Sequence, residues 1–183
     1  MPGRVPGTGQ RGWDWYRLAD EWAARVVAEA RVRPGELVLD IGAGEGALTG
    51  QLLRAGARVV AVELHPHRAA VLRHRFPGVT VVHADAAALR LPRRPFRVVA
   101  NPPYGITAIL LRQLLAPGSR LSAADLVLQR AVVRQYAGGT ARGAARWLRS
   151  FDAGAGLTVP RRAFLPPPRV DSAVLVLRRR RVA

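Results

Sequence analysis

Neither lysine nor cysteine occurs anywhere in the 183 residues. Without cysteine there is no disulfide framework, thiolate metal site, iron–sulfur cluster or cysteine nucleophile. His65, His67, His74 and His83, the 4 histidines, show no metal-ligand spacing, so no metal is expected. No apolar run reaches the roughly 18 residues that cross a bilayer, which argues against a membrane partner. Residues 1–12, rich in glycine and proline, read as a disordered lead without the apolar stretch of a signal peptide. A soluble, cytoplasmic protein is the expectation. Acidic residues are also scarce, 12 against 29 basic ones.

What the chain has in abundance is arginine, which accounts for the whole basic total and gives a net charge of +17. Arginine is always charged and presents a planar fork of donors that suits phosphate. Residues 1–100 hold 15 Arg and 9 acids, residues 101–183 hold 14 Arg and 3 acids, so the second half is the more basic. A nucleic-acid partner fits this balance, with a solvated surface in the product of a GC-rich genome as the bland alternative.

The length suits one domain, and 49% hydrophobic residues are enough to build its core. Leu18, Trp22, Val26 and Ala30 recur at helical spacing up to the Arg33-Pro34-Gly35 turn. Leu37–Ile41 then reads as a strand, Ala47–Leu53 as a helix and Val59–Val62 as a strand, which is a βαβ unit. The alternation continues with helix Arg68–Phe76, strands Val79–His83 and Arg97–Ala100, helix Ile106–Leu115 and strand Leu126–Leu128. Such near-continuous apolar strands imply a parallel sheet covered on both faces. Gly138–Gly156 reads as a mobile basic segment around a short helix at Ala141–Arg149, and Ser172–Leu177 as the last strand.

Three places carry chemistry. Asp40-Ile-Gly42-Ala-Gly44-Glu-Gly46 follows the first buried strand and opens a helix, where glycines admit a ligand to the backbone and the helix presents unpaired N–H groups. Gly42-x-Gly44-x-x-Ala47 also satisfies the dinucleotide fingerprint, and Glu63 ends the next strand at the distance of a ribose-binding acid, so an adenosine-containing cofactor is expected. Asp85 stands after a strand, where it serves either an adenine amino group or a turn cap. Asn101-Pro102-Pro103-Tyr104 follows strand Arg97–Ala100. Its prolines fix φ and lack N–H groups, so the Asn side-chain oxygen and a proline carbonyl can converge on one exocyclic amine while Tyr104 stacks on the planar group.

Together with Gln129-Arg130 and Phe164-Leu-Pro166-Pro-Pro168-Arg-Val170-Asp171-Ser172, these motifs resemble the rRNA adenine N6-methyltransferases, which include the Erm-type macrolide-resistance enzymes and the dimethyladenosine transferases. The resemblance spans roughly residues 13–178 and implies a Rossmann-like class I S-adenosylmethionine-dependent methyltransferase, its mostly parallel seven-stranded sheet flanked by helices. By resemblance, Gly42, Gly44, Glu63, Leu64, Asp85, Ala86 and Asn101 bind S-adenosylmethionine. Asn101 and Pro102 hold the target adenine N6, with Tyr104 and Phe164 stacking on the flipped base. The family usually opens with Gln-Asn-Phe-Leu, whereas Trp13-Asp14-Trp15-Tyr16 stands here, and it usually continues into a helical domain where this chain stops at Ala183.

The activity implied is methyl transfer to adenine in 23S rRNA, with macrolide, lincosamide and streptogramin resistance. Methylation of a protein glutamine amide or of DNA adenine, or a non-catalytic RNA-binding module, are the alternatives. Residues 130–181 carry 12 Arg and 2 acids. Arg130, Arg134, Arg161, Arg162, Arg169, Arg178, Arg179, Arg180 and Arg181 are therefore expected to grip rRNA around Phe164, with 179–183 as a basic tail. A monomer is favoured.

Overall fold

The computed structural model describes residues 15–180; the expected disordered lead, Trp13, Asp14 and Arg181 lie outside them. In chain order the elements are β1 (Arg17–Leu18), α1 (Asp20–Ala30), β2 (Leu37–Ile41), α2 (Ala47–Arg54), β3 (Arg58–Glu63), α3 (Pro66–Arg75), β4 (Thr80–His83), β5 (Phe96–Ala100), α4 (Thr107–Leu114), β6 (Leu121–Gln129), α5 (Arg130–Ala137), α6 (Ala144–Trp147), β7 (Phe151–Val159), β8 (Phe164–Leu165) and β9 (Ser172–Arg179).

Seven strands form one sheet in the order β4-β3-β2-β5-β6-β9-β7. The pairs from β4 to β6 are parallel, and β9 runs antiparallel to both β6 and β7, so it is the one reversed strand of this sheet. The central strands are mostly apolar because both faces are covered, with Asp40 in β2, Arg97 in β5 and Asp125 in β6 as buried charged exceptions. α1, α2 and α3 bury Trp22, Val26, Leu48, Leu52 and Leu72 against one face. α4, α5 and α6 bury Leu110, Leu111, Leu114, Val133 and Trp147 against the other.

Two stretches differ from the sequence expectation. Chain 138–156 holds the short helix expected within it, at Ala144–Trp147, but Phe151 then begins a nine-residue edge strand where no strand was expected. Its glycines obscure the apolar alternation, and what makes it a strand is the ladder to β9, a contact between distant residues that local pattern does not carry. The basic tail expected from 179 is also shorter. Arg179 closes β9, and the Arg180 backbone N–H donates to the Ser150 carbonyl at 2.9 Å. No helix among the described residues is long and apolar enough to cross a membrane.

β2 sends the chain outward to β3 and β4 on one side, while β5 and β6 lie on the other, so the strand order reverses between β2 and β5. In such a sheet the crevice beyond the carboxyl ends of the strands at that point is where ligands sit.

Candidate functional site

The loops after β2 and β5 meet in this crevice. A Cβ on Gly42 would come within 2.9 Å of Pro103 Cδ and 3.4 Å of Pro102 Cα, and Gly42 has φ +75°, so only glycine lets the Asn-Pro-Pro turn press on the glycine loop. The two motifs are therefore faces of one site, although 59 positions separate Gly42 from Asn101.

Glu63, at the end of β3, is buried with 3% exposure. One carboxylate oxygen accepts from the Gly44 N–H at 2.8 Å, the other from the His65 N–H at 2.8 Å and from Arg68 Nε at 3.3 Å. It thus fixes the glycine loop while lining the crevice beside Leu64, Asp85 and Ala86. Asp85 takes the cap role, its Oδ1 accepting from the Ala87 N–H at 2.8 Å at the start of a short turn, and the residue also lines this lobe. The expected cofactor residues Gly42, Gly44, Glu63, Leu64, Asp85, Ala86 and Asn101 all line one of two adjoining lobes, Gly44 and Asn101 in the lobe that also holds Asp40.

Asp40 is the group that sequence reasoning quoted without giving it a role. It is 1% exposed. Its Oδ2 accepts from the Thr49 hydroxyl at 2.6 Å, whereas Oδ1 is buried with no partner among the described residues. Burial pushes its carboxyl from an ordinary 3.8 up to about 7; the Thr49 bonds oppose this, and nearby Glu63 adds to it. An unpartnered acceptor below the glycine loop suits a ligand that brings a cationic amine, such as the ammonium of an amino-acid moiety.

Trp15 stands between the lobes. Its Nε1 lies 2.7 Å from where a Cβ on Gly44 would be, and the Arg68 guanidinium stacks 4.6 Å from its ring centre. The lobes it leaves measure about 20 and 30 Å³. At ~10–15 Å³ for one water, the lobes are too tight for a nucleoside with the indole in this place.

Tyr16 contributes what the sequence did not reveal. Asn101 Nδ2 donates to the Tyr16 carbonyl at 2.8 Å, and the Tyr16 ring lies 5.5 Å from that of Tyr104. The contact runs through a main-chain oxygen, which leaves no signature in residue type. The Tyr104 hydroxyl is in turn 2.7 Å from Ser172 Oγ at the start of β9. Phe164 does not take the place expected for it. It is 1% exposed, pairs with Leu18 in the β1–β8 ribbon and sits among Trp22, Val159 and Val174. Its ring is core supporting the Tyr16 segment rather than a face offered to a base, because the ribbon folds back over it.

The arginines separate into two groups. Arg130 starts α5 directly after Gln129, the residue paired with Ser172, so it stands at the same end of the sheet as the Asn101 turn, with Arg134 one helical turn further on. Arg161, Arg162 and Arg169 flank the 160–171 loop on the same edge; Arg161 Nε donates to the Pro168 carbonyl at 2.8 Å. Arg178, Arg179 and Arg180 are elsewhere. The reversed strand β9 carries them about 23 Å from Ser172 at ~3.3 Å per residue, to the opposite edge of the sheet. There Arg178 pairs with Asp125 at 2.7 Å, Arg179 donates to the Leu121 and Ser119 carbonyls, and Arg180 pairs with Asp152 at 2.9 Å. They do not surround the Asn101–Tyr104 turn.

Comparison with known proteins accords with this geometry. The family model described as ribosomal RNA adenine dimethylase matches residues 18–183. A "Ribosomal RNA small subunit methyltransferase A" of Thermosynechococcus vestitus is 38% identical over 91% of this chain and 68% of its own length. An "rRNA methyltransferase" of Streptomyces thermotolerans is 40% identical over 88% of this chain and 56% of its own. The crystal structure of the 23S rRNA methyltransferase ErmE superposes with a TM-score of 0.81 at 36% identity, over 89% of this chain and 69% of that one. The chain spans between about half and two thirds of the length of such relatives.

Proposed function

Because the chain belongs to the ribosomal RNA adenine dimethylase family, we propose that it transfers a methyl group from S-adenosylmethionine to the N6 amino group of an adenine in 23S rRNA. Resistance to macrolide, lincosamide and streptogramin drugs follows from such a modification. The likeness to ErmE supports 23S rRNA as the substrate.

The observation that carries the chemistry is the orientation of the Asn101 amide. With Nδ2 donating to the Tyr16 carbonyl, Oδ1 is left as an acceptor at the crevice. The neighbouring Pro102 carbonyl accepts no backbone N–H among the described residues. Two acceptors on adjacent residues suit the two N–H bonds of an adenine N6, whose lone pair would then face the crevice. Bound S-adenosylmethionine supplies the electrophilic methyl group. Gly42, Gly44, Glu63, Leu64, Asp85 and Ala86 hold it, and the free Oδ1 of Asp40 fits its amino-acid ammonium. Positioning does most of the work, and the proton leaves the product amine for water without a strong base. Tyr104, tethered through Ser172, offers its ring to the extruded base, which is reached most cheaply in looped RNA.

The experiment is to offer labelled S-adenosylmethionine with naked 23S rRNA, small-subunit rRNA, ribosomal subunits, DNA and protein as separate acceptors, and to map the labelled atom. Label on N6 of a 23S adenine supports the proposal. The Thermosynechococcus relative favours a second reading, adenine in small-subunit rRNA, and label there alone would select it. Label confined to protein would overturn both.

A further inference from the structure

The arginine run at the end of β9 is the one motif of the sequence that the catalytic edge does not absorb. At the opposite edge of the sheet it joins a cleft of about 380 Å³ whose charged lining is Arg31, Arg33, Glu36, Arg97, Arg178 and Arg179. Asp125, behind this lining, accepts from Arg97 Nη2 at 3.1 Å and from Arg178 Nη2 at 2.7 Å, holding the two guanidinium groups side by side. Glu36 accepts from Arg97 Nη1 at 3.3 Å and from the Arg33 backbone N–H at 2.9 Å. Both acids are therefore engaged. Five guanidinium groups against two carboxylates leave three positive charges around one cleft.

The donors are held in place rather than loose on the surface. Arg97 is 8% exposed and donates to the Ala30 and Arg31 carbonyls at the end of α1. Arg179 is fixed by the Leu121 and Ser119 carbonyls and lies 4.5 Å over the Phe151 ring, which leaves its Nη1 uncommitted. Burial and neighbouring Arg120 push its guanidinium below its ordinary value, a sign of crowding by like charge. Arg31 and Arg33 are exposed and their side chains make no ion pair or hydrogen bond among the described residues. Such a cluster is relieved when an oxyanion enters and takes up the spare N–H groups in bidentate fashion.

We propose that this cleft is a phosphate-binding site separate from the catalytic crevice, taking either the phosphodiester backbone of the RNA substrate or a small free phosphate. The RNA source rests on the function proposed above; the free-phosphate source does not.

The test uses the full chain with Arg31→Asn and Arg33→Ser together. Neither side chain has a partner to lose, and Arg31 has φ 51°, a conformation that asparagine tolerates. An Arg31→Lys, Arg33→Lys chain retains the charge, and thermal midpoints check that all three forms fold alike. In one arm, binding to a 23S rRNA fragment is followed across salt. Each lost phosphate contact flattens the slope of log K against log salt by roughly 0.7–0.9, so the neutral variant should lose about 1.5 and the lysine variant little. In the other arm, inorganic pyrophosphate is titrated and followed by amide NMR shifts around residues 30–36. A changed RNA slope assigns the site to the RNA backbone, and pyrophosphate shifts lost in the neutral variant with an unchanged slope assign it to a free phosphate. An unchanged slope with no such shifts overturns the proposal. If the unaltered chain binds no rRNA, the functional reading fails while the pyrophosphate arm still decides this one.

Discussion

Replacing Asp40 by asparagine should remove a pH dependence from the stability of the fold. The buried carboxyl titrates near 7 in the folded chain against 3.8 in its ordinary state, so the folded form prefers it protonated. Its contribution is intact below pH 4 and declines as pH rises toward 7, where the folded state must ionise a carboxylate with one unpartnered oxygen. At 1.36 kcal/mol per unit, a shift of about three units is worth about 4 kcal/mol over that window. Asparagine copies the neutral acid in shape and can still accept from Thr49. Urea unfolding of both proteins at pH 4.5 and 7.5 separates this residue from the others, because their titrations cancel in the difference. The stability of the original chain minus that of the variant should fall by a few kcal/mol between the two pH values. A difference that stays constant within about 1 kcal/mol would refute the reasoning. The same carboxylate explains why a cationic ligand belongs there: S-adenosylmethionine should bind with release of a proton near neutral pH, seen by calorimetry in two buffers, and the variant should release none from this site.

Other consequences are equally open to measurement. Asn101→Ala should abolish methyl transfer while S-adenosylmethionine affinity, measured by calorimetry, changes little; equal loss of both would make Asn101 a cofactor ligand only. Trp15→Ala should tighten S-adenosylmethionine binding by roughly fivefold, since the ring's cation–π contact with Arg68, about 1 kcal/mol, no longer has to be broken. Weaker binding would show instead that the indole holds the cofactor. Gly42→Ala should cost about 1–3 kcal/mol of stability in urea unfolding, from a left-handed backbone and the close approach of Pro103, and should impair transfer with it. Ser172→Ala should loosen Tyr104 and lower the transfer rate severalfold at unchanged cofactor affinity.

The fold was legible where strands are buried on both faces and punctuated by glycine or proline. Leu37–Ile41, Val59–Val62 and Arg97–Ala100 carry their own evidence, and so does the handover from β2 to the glycine loop. Strand Phe151–Val159 was hidden because its glycines break the alternation and only the partner β9 makes it a strand. That Gly42, Gly44, Glu63 and Asp85 line one crevice was readable because each stands at the end of a parallel strand or in the loop directly after it, and those loops share one end of the sheet. Phe164 was not, since the sequence cannot tell an aromatic ring that faces a base from one folded under a short ribbon. Nor could it place the terminal arginines, because proximity along the chain to Phe164 becomes distance once β9 runs antiparallel. The Tyr16 carbonyl and the open oxygen of Asp40 belong to the assembled structure and have no counterpart in a residue count.

The hydrogen bond from the Asn101 amide to Tyr16 ties the Asn-Pro-Pro-Tyr turn to a residue 85 positions earlier, ahead of α1. The amide therefore has the right way round only while that short stretch is in register. A fusion tag joined just before Trp15, or a protease cut between Tyr16 and Asp20, would act on the candidate site directly, the cut also through the β1–β8 ribbon in which buried Leu18 pairs with Phe164. Expression strategy for this chain is thus an enzymological variable, and tags belong at a distance from Tyr16.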